Sequence, residues 1–101
     1  MPAEPFHFTG TTDRVFPGST STCILKDPGK ARTITIAKSN SASTIVWNPW
    51  VEVTATLADM EPNAWHDFAC IESGNVQADA ITLLPNQSHI LQANISVEPT
   101  A

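Results

Sequence analysis

Positive charge is scarce in this chain. Five Lys and Arg stand against ten Asp and Glu in 101 residues, giving a net charge of −5 and a pI near 4.8. The five cations, Arg14, Lys26, Lys30, Arg32 and Lys38, are scattered and form no stripe. Binding to polyanions depends on clustered cations that displace counterions. The balance therefore excludes nucleic acid and anionic membranes as partners. No apolar run approaches the ~20 residues that cross a bilayer. Met1-Pro2-Ala3-Glu4-Pro5 lacks the basic start and apolar core of a secretory leader, so a cytoplasmic protein is expected. Cysteine is scarce too. Cys23 and Cys70 each fall inside an expected strand and read as free thiols in a reducing compartment. On that basis the sequons at Asn86 and Asn94 are chance matches. Two distant Cys and three isolated His, at 7, 66 and 89, show no metal-ligand spacing. A Gly-rich phosphate loop and a nucleophile motif are also missing. Neither metal nor cofactor is expected.

What is present is a β-protein composition. Hydrophobic residues make up 42% of the chain and charged residues only 15%, below the usual ~25%. Thr, Ser, Val and Ile are abundant, which suits strands and argues against disorder. The length allows one domain, residues 1–101, with a modest core.

Two stretches organise the chain. Ser43-Thr44-Ile45-Val46-Trp47 is its most hydrophobic run, and Asn48-Pro49-Trp50 ends it abruptly. Its apolar residues do not alternate, which predicts a central strand buried on both faces. Cys70-Ile71-Glu72-Ser73-Gly74 reads as a second apolar strand that delivers one carboxylate just before a turn. An acid at the end of a buried strand is costly unless paired or used, which makes Glu72 the leading functional candidate.

Around these stretches the sequence alternates strands and turn signals. Phe6-His7-Phe8 has the period of a half-buried strand. Asp13 to Phe16 reads as a short extended piece stopped by Pro17-Gly18. Thr22 to Lys26 and Arg32 to Ala37 flank Asp27-Pro28-Gly29-Lys30, which predicts an antiparallel hairpin. Residues 39–42 read as a loop. Val51 to Asp59 is expected to be a loop with one helical turn, and Glu61 to Trp65 a further turn. Strands are expected at Asp67 to Glu72, Ala80 to Leu84 and His89 to Val97, followed by a fraying tail. Seven or eight strands with regular turns indicate an all-β antiparallel sandwich.

Several segments match one family in order and spacing. Phe8-Thr9-Gly10 with Thr12-Asp13-Arg14-Val15-Phe16 resembles the glucose-6-phosphate 1-epimerases, or hexose-6-phosphate mutarotases. So do Val46-Trp47-Asn48-Pro49-Trp50, Ala58-Asp59-Met60, Cys70-Ile71-Glu72, and Ile81-Thr82-Leu83 followed by Pro85 and Ser88-His89. The resemblance covers only the C-terminal part of these longer enzymes. It implies part of a galactose mutarotase-like supersandwich and a hexose or hexose phosphate as partner. In that family a glutamate takes the anomeric proton and a histidine acts as acid at the ring oxygen. By resemblance Glu72 is that general base, and Asp13 is a substrate-binding carboxylate. The segment carrying the family's histidine and its phosphate-holding arginines has no counterpart in this sequence. His7, His66 and His89 stand outside the catalytic motif.

The expected function is thus a mutarotase-like isomerase with weak or no epimerase activity alone. The alternative is a non-catalytic carbohydrate-binding or self-associating β module. Trp47, Trp50 and Trp65 serve either sugar stacking or core packing. For Glu72 the plain alternative is a solvent-facing strand end; for Asp13 it is a turn residue that caps the Thr-Thr bend or pairs with Arg14. A partial sandwich leaves sheet edges and one apolar face uncovered, so a homodimer or higher even oligomer is expected.

Overall fold

In the computed structural model, residues 6–100 are described, and within them six strands build two antiparallel three-stranded sheets. Strands β1 (Thr12–Phe16), β4 (Ser43–Asn48) and β5 (Cys70–Gly74) form one sheet in the order β1-β4-β5. Strands β2 (Cys23–Asp27), β3 (Arg32–Ser39) and β6 (Gln92–Pro99) form the other in the order β2-β3-β6. One short helix, α1 (Trp50–Thr54), follows β4. The architecture is all-β and sandwich-like, as the composition and turn spacing indicate.

Local chemistry explains the turns. In the β2–β3 hairpin, Pro28 opens a single 3₁₀ turn, and Ala31 at φ 50° closes it by donating its N–H to the Pro28 carbonyl. Asp27 and Arg32 face each other across the hairpin and form an ion pair at 2.9 Å. Both are partly exposed, so the pair contributes little stability. Gly18 adopts φ +61° after Pro17, a conformation that suits glycine.

The turn that ends β4 is built by Asn48. Its side chain is buried, its Oδ1 accepts the Trp50 N–H at 2.8 Å, and its Nδ2 donates to the carbonyls of Trp65 and Phe68. Trp50 sits at φ 56°, which a bulky residue avoids unless its surroundings hold it there. Here the Asn48 side chain and the tilted packing of the Trp50 ring on Trp65, at 4.3 Å between ring centres, hold it.

The interior is small and unusually polar. Phe16 and Val46 from one sheet and Cys23 and Ile36 from the other are its buried apolar residues. Ser19, Ser41, Ser43, Thr44, Asn48 and Thr54 are buried beside them. Lys38 of β3 crosses between the sheets, donating to the Ser43 carbonyl and to Thr44 Oγ1 of β4, both at 2.8 Å. Thr44 Oγ1 donates in turn to Ser19 Oγ. Burial lowers the Lys38 pKa, more than the nearby Cys23 and Asp79 raise it.

The structure corrects several expectations. Phe6 to Phe8 is not a strand; the two rings meet edge to face at 5.5 Å in irregular backbone. Ala80 to Leu84 is irregular and exposed, because no neighbouring strand lies beside it to pair with. The final strand starts at Gln92 rather than His89, and β5 starts at Cys70 rather than Asp67. The described residues therefore hold six strands, not seven or eight. The tail does not fray at Glu98: β6 runs to Pro99 and Thr100 donates to the Ala31 carbonyl. The expected burial of β4 on both faces holds in part: Thr44, Val46 and Asn48 are buried on the inner face, and on the other face Ser43 is buried while Ile45 and Trp47 are partly covered. Residues 1–5, read above as lacking a leader, lie outside the described residues.

Candidate active site

Strand registers define a single face. Asp13 of β1 is paired with Trp47 of β4, and Trp47 with Cys70 of β5. One step along, Val15 is paired with Ile45, and Ile45 with Glu72. Side chains opposite one another in an antiparallel pair share a face, as do residues two apart. Asp13, Trp47, Cys70 and Glu72 therefore project from the same side of the sheet. The opposite side carries the buried Phe16, Thr44, Val46 and Asn48. The acid-bearing side is the outer one, and both Asp13 and Glu72 are exposed.

The two acids flank β4 rather than touch. β1 and β5 lie one strand apart from each other across β4, so the two backbones are about 10 Å apart across the sheet. Between them lie Ile45 and the indole of Trp47, which packs on Phe68 with ring centres 5.8 Å apart. Neither carboxylate has a hydrogen-bond or ion-pair partner among the described residues. Of the plain alternatives for Asp13, neither a cap on the Thr-Thr bend nor a pair with Arg14 is formed among the described residues, and the Arg14 guanidinium lies over the Phe16 ring at 4.7 Å on the other face. Glu72 faces solvent, as its plain alternative has it.

Cys70 belongs to this face, and residue-by-residue reading passed over it as a buried thiol. The signal was available in its spacing, since Cys70 precedes Glu72 by two residues on one strand. It is half-buried and free. Burial, and then the negative charge of Glu72, raises its pKa. The thiol is thus kept protonated, and its response to Glu72 reports the carboxylate's proximity.

The histidines are placed apart from the acids. His66 stacks on Trp65 at 3.6 Å, on the loop that Asn48 pins. His7 lies in the exposed segment before β1. His89 lines a cleft of about 430 Å³ with Lys38, Asn40, Asn75 and Asp79. That cleft lies beside the start of β4 and includes neither Asp13 nor Glu72. Its polar groups are largely committed to the fold: Asp79 accepts from Gly18 N and Ser43 Oγ, and Asn75 bridges Ala42 N and the Asn40 carbonyl. We therefore place the candidate site on the Asp13–Glu72 face. No group of three or more His, Cys, Asp or Glu among the described residues is arranged to hold a metal ion.

A two-sheet antiparallel protein that presents unpaired carboxylates around an indole on an open sheet face has the makings of a carbohydrate-binding protein. Comparison with known families makes this specific. The family model described as aldose 1-epimerase matches residues 2–96, and the chain belongs to that family. No solved structure matches it.

Proposed function

We propose that the chain is a mutarotase-like protein acting on a hexose or hexose phosphate, with Glu72 as the general base and Asp13 as a hydrogen-bonding partner of a ring hydroxyl. The observation that carries this reading is the shared face: two exposed, unpartnered carboxylates on either side of Trp47, in a member of the aldose 1-epimerase family. Carboxylates accept hydrogen bonds from sugar hydroxyls, and an indole offers an apolar surface to the C–H face of a pyranose. A sugar lying across β4 reaches both acids at once.

In the chemistry proposed, Glu72 removes the proton from the anomeric hydroxyl. The electron pair forms the aldehyde as the ring C–O bond opens, and the ring oxygen must gain a proton. Closure on the other face of the aldehyde gives the second anomer and returns the protons. No histidine bonds to either carboxylate among the described residues, so water is left to protonate the ring oxygen. Loss of a positioned acid costs on the order of 10²–10⁴ in rate. The expected activity is therefore weak. The resemblance points toward hexose 6-phosphate among the hexoses, and the described residues place no cation on this face to hold a phosphate.

The test is anomer exchange of glucose and of glucose 6-phosphate, followed by NMR above the buffer background. Wild type is expected to accelerate it, and Glu72→Gln to return it to the background rate while the fold is retained. Exchange that persists in Glu72→Gln rejects Glu72 as the base. Sugar binding without exchange, weakened by Asp13→Asn and by Trp47→Ala, instead favours the second reading, a carbohydrate-binding module.

A further inference from the structure

The last fifth of the chain folds without being covered. Every residue from Ile81 to Thr100 is exposed. Seven of the ten large apolar side chains left exposed among the described residues lie between Ile81 and Val97. The chain exposes 7191 Å² in all. A compact monomer of its 10.9 kDa exposes about 5,600 Å², from the scaling of surface with mass. The excess, roughly 1,600 Å², is larger than the ~800 Å² that each partner buries in a standard specific interface.

Part of that surface lies along β6, where Ile95 and Val97 are exposed. β6 is an edge strand, paired with β3 alone. Thr100 donates its N–H to Ala31, so alternate residues along β6, namely Glu98, Ser96, Asn94 and Gln92, turn their backbone groups toward β3. Ala93, Ile95 and Val97 consequently turn theirs outward. Pro99 falls on the outward set, where its missing N–H costs no ladder bond and ends the usable edge. Three outward residues remain, and Ile95 is the middle one. Between Gln92 and Val97 the strand carries no charge, no proline and no glycine, the usual guards of a free edge. Ile95 and Val97 also share the face of Ile36 and Ile34, so their apolar side chains continue the inner surface of the sheet beyond the core.

We propose that this edge is a homodimer interface, occupied by β6 of a second copy. A two-fold axis through Ile95 pairs Ile95 with the partner's Ile95, and Ala93 with the partner's Val97. Every outward N–H and C=O then finds a partner, because residues that face each other in such a pair exchange both bonds. The result is one six-stranded sheet in which the apolar stripe runs unbroken across the axis. The pairing is self-complementary, as an isologous contact must be. It does not depend on the role of Glu72, which lies on the other sheet.

Sedimentation velocity over a dilution series, combined with amide exchange by NMR, tests the proposal on the full chain. Wild type is expected to dimerise reversibly. The amides of Ala93, Ile95 and Val97 are expected to gain protection as concentration rises, while those of Gln92, Asn94 and Ser96 are protected throughout. Ile95→Lys sets two like charges opposite each other on the axis and is expected to raise the dissociation midpoint by roughly tenfold or more. Ile24→Lys, which removes an apolar side chain exposed on β2 far from this edge, is expected to leave it unchanged. Circular dichroism on each variant separates loss of pairing from loss of fold. A chain that remains monomeric overturns the proposal and leaves the edge for a strand of another polypeptide. A dimer whose outward β6 amides stay unprotected, or one that survives Ile95→Lys with its fold intact, overturns it equally.

Discussion

At the scale of single residues, Cys70 and Asn48 give the sharpest tests. The Cys70 thiol is held protonated by burial and by the Glu72 charge. It is expected to react more slowly with iodoacetamide at neutral pH than an unperturbed thiol, since the thiolate is the nucleophile. Glu72→Gln is expected to quicken that reaction, and an unchanged rate would place the carboxylate elsewhere. The same thiol shapes stability at alkaline pH. Its folded pKa exceeds its unfolded value, so between about pH 8.5 and that raised value the unfolded chain releases the proton first. Stability conferred below that window is lost as pH rises through it. Lys38 acts in the opposite sense, because its folded pKa is lowered. Below about pH 10.4 the unfolded chain holds that proton more tightly, and stability rises with pH. Urea titrations of Cys70→Ser are therefore expected to show stability rising more steeply above pH 8.5 than in wild type. Asn48→Ala strands two carbonyls and an N–H at the corner after β4. Its expected cost is on the order of 2–3 kcal/mol, read from the urea midpoint. Glu72 was legible in the sequence as an acid on an apolar strand. Its environment was not, because an expectation of burial cannot tell which face of β5 the chain leaves open. The partnership of Glu72 with Cys70 and Trp47 depends on the registers of three strands that are far apart in sequence.

At the scale of elements, turn chemistry carried the prediction furthest. Asp27-Pro28-Gly29-Lys30 located the β2–β3 hairpin, Pro17-Gly18 ended β1, and Asn48-Pro49 ended β4. These signals are local, with the physical cause lying within four residues. The misreadings fall where pairing decides. Phe6 to Phe8 and Ala80 to Leu84 have strand composition but no neighbouring strand, and an unpaired strand leaves its backbone groups to water. The shift of β6 from His89 to Gln92 has the same origin, since β3 ends at Ser39 and Ser39 is opposite Gln92. β6 is also paired on one side only, and all its residues are exposed. The amides it donates to β3 are expected to exchange faster than those of β4, which is paired on both sides and lines the core. A native-state exchange series in low urea ranks the two directly.

At the scale of the whole molecule, the topology is non-local apart from the β2–β3 hairpin. β1 pairs with β4 and β3 with β6, joining residues as far apart as Arg32 and Pro99. Closing such loops before their contacts form is slow. Refolding from urea is expected on the millisecond-to-second scale of β proteins rather than the microseconds of helical ones, and stopped-flow Trp fluorescence reads it. The class of fold was legible from composition and turn spacing. The assignment of strands to sheets was not, because β1 and β2 are adjacent in sequence yet belong to different sheets.

The long separation in sequence between β3 and its partner β6 carries a consequence for synthesis. The first sheet is complete once Gly74 has emerged, and the β2–β3 hairpin well before that. The β3 edge then waits for β6, which emerges after both. At the usual 5–20 residues per second the delay is of order seconds. During that interval an exposed β3 can receive β6 of a neighbouring polypeptide instead of its own. Dense expression is thus expected to yield a fraction of strand-exchanged molecules that refolding from urea at low concentration converts to the ordinary form.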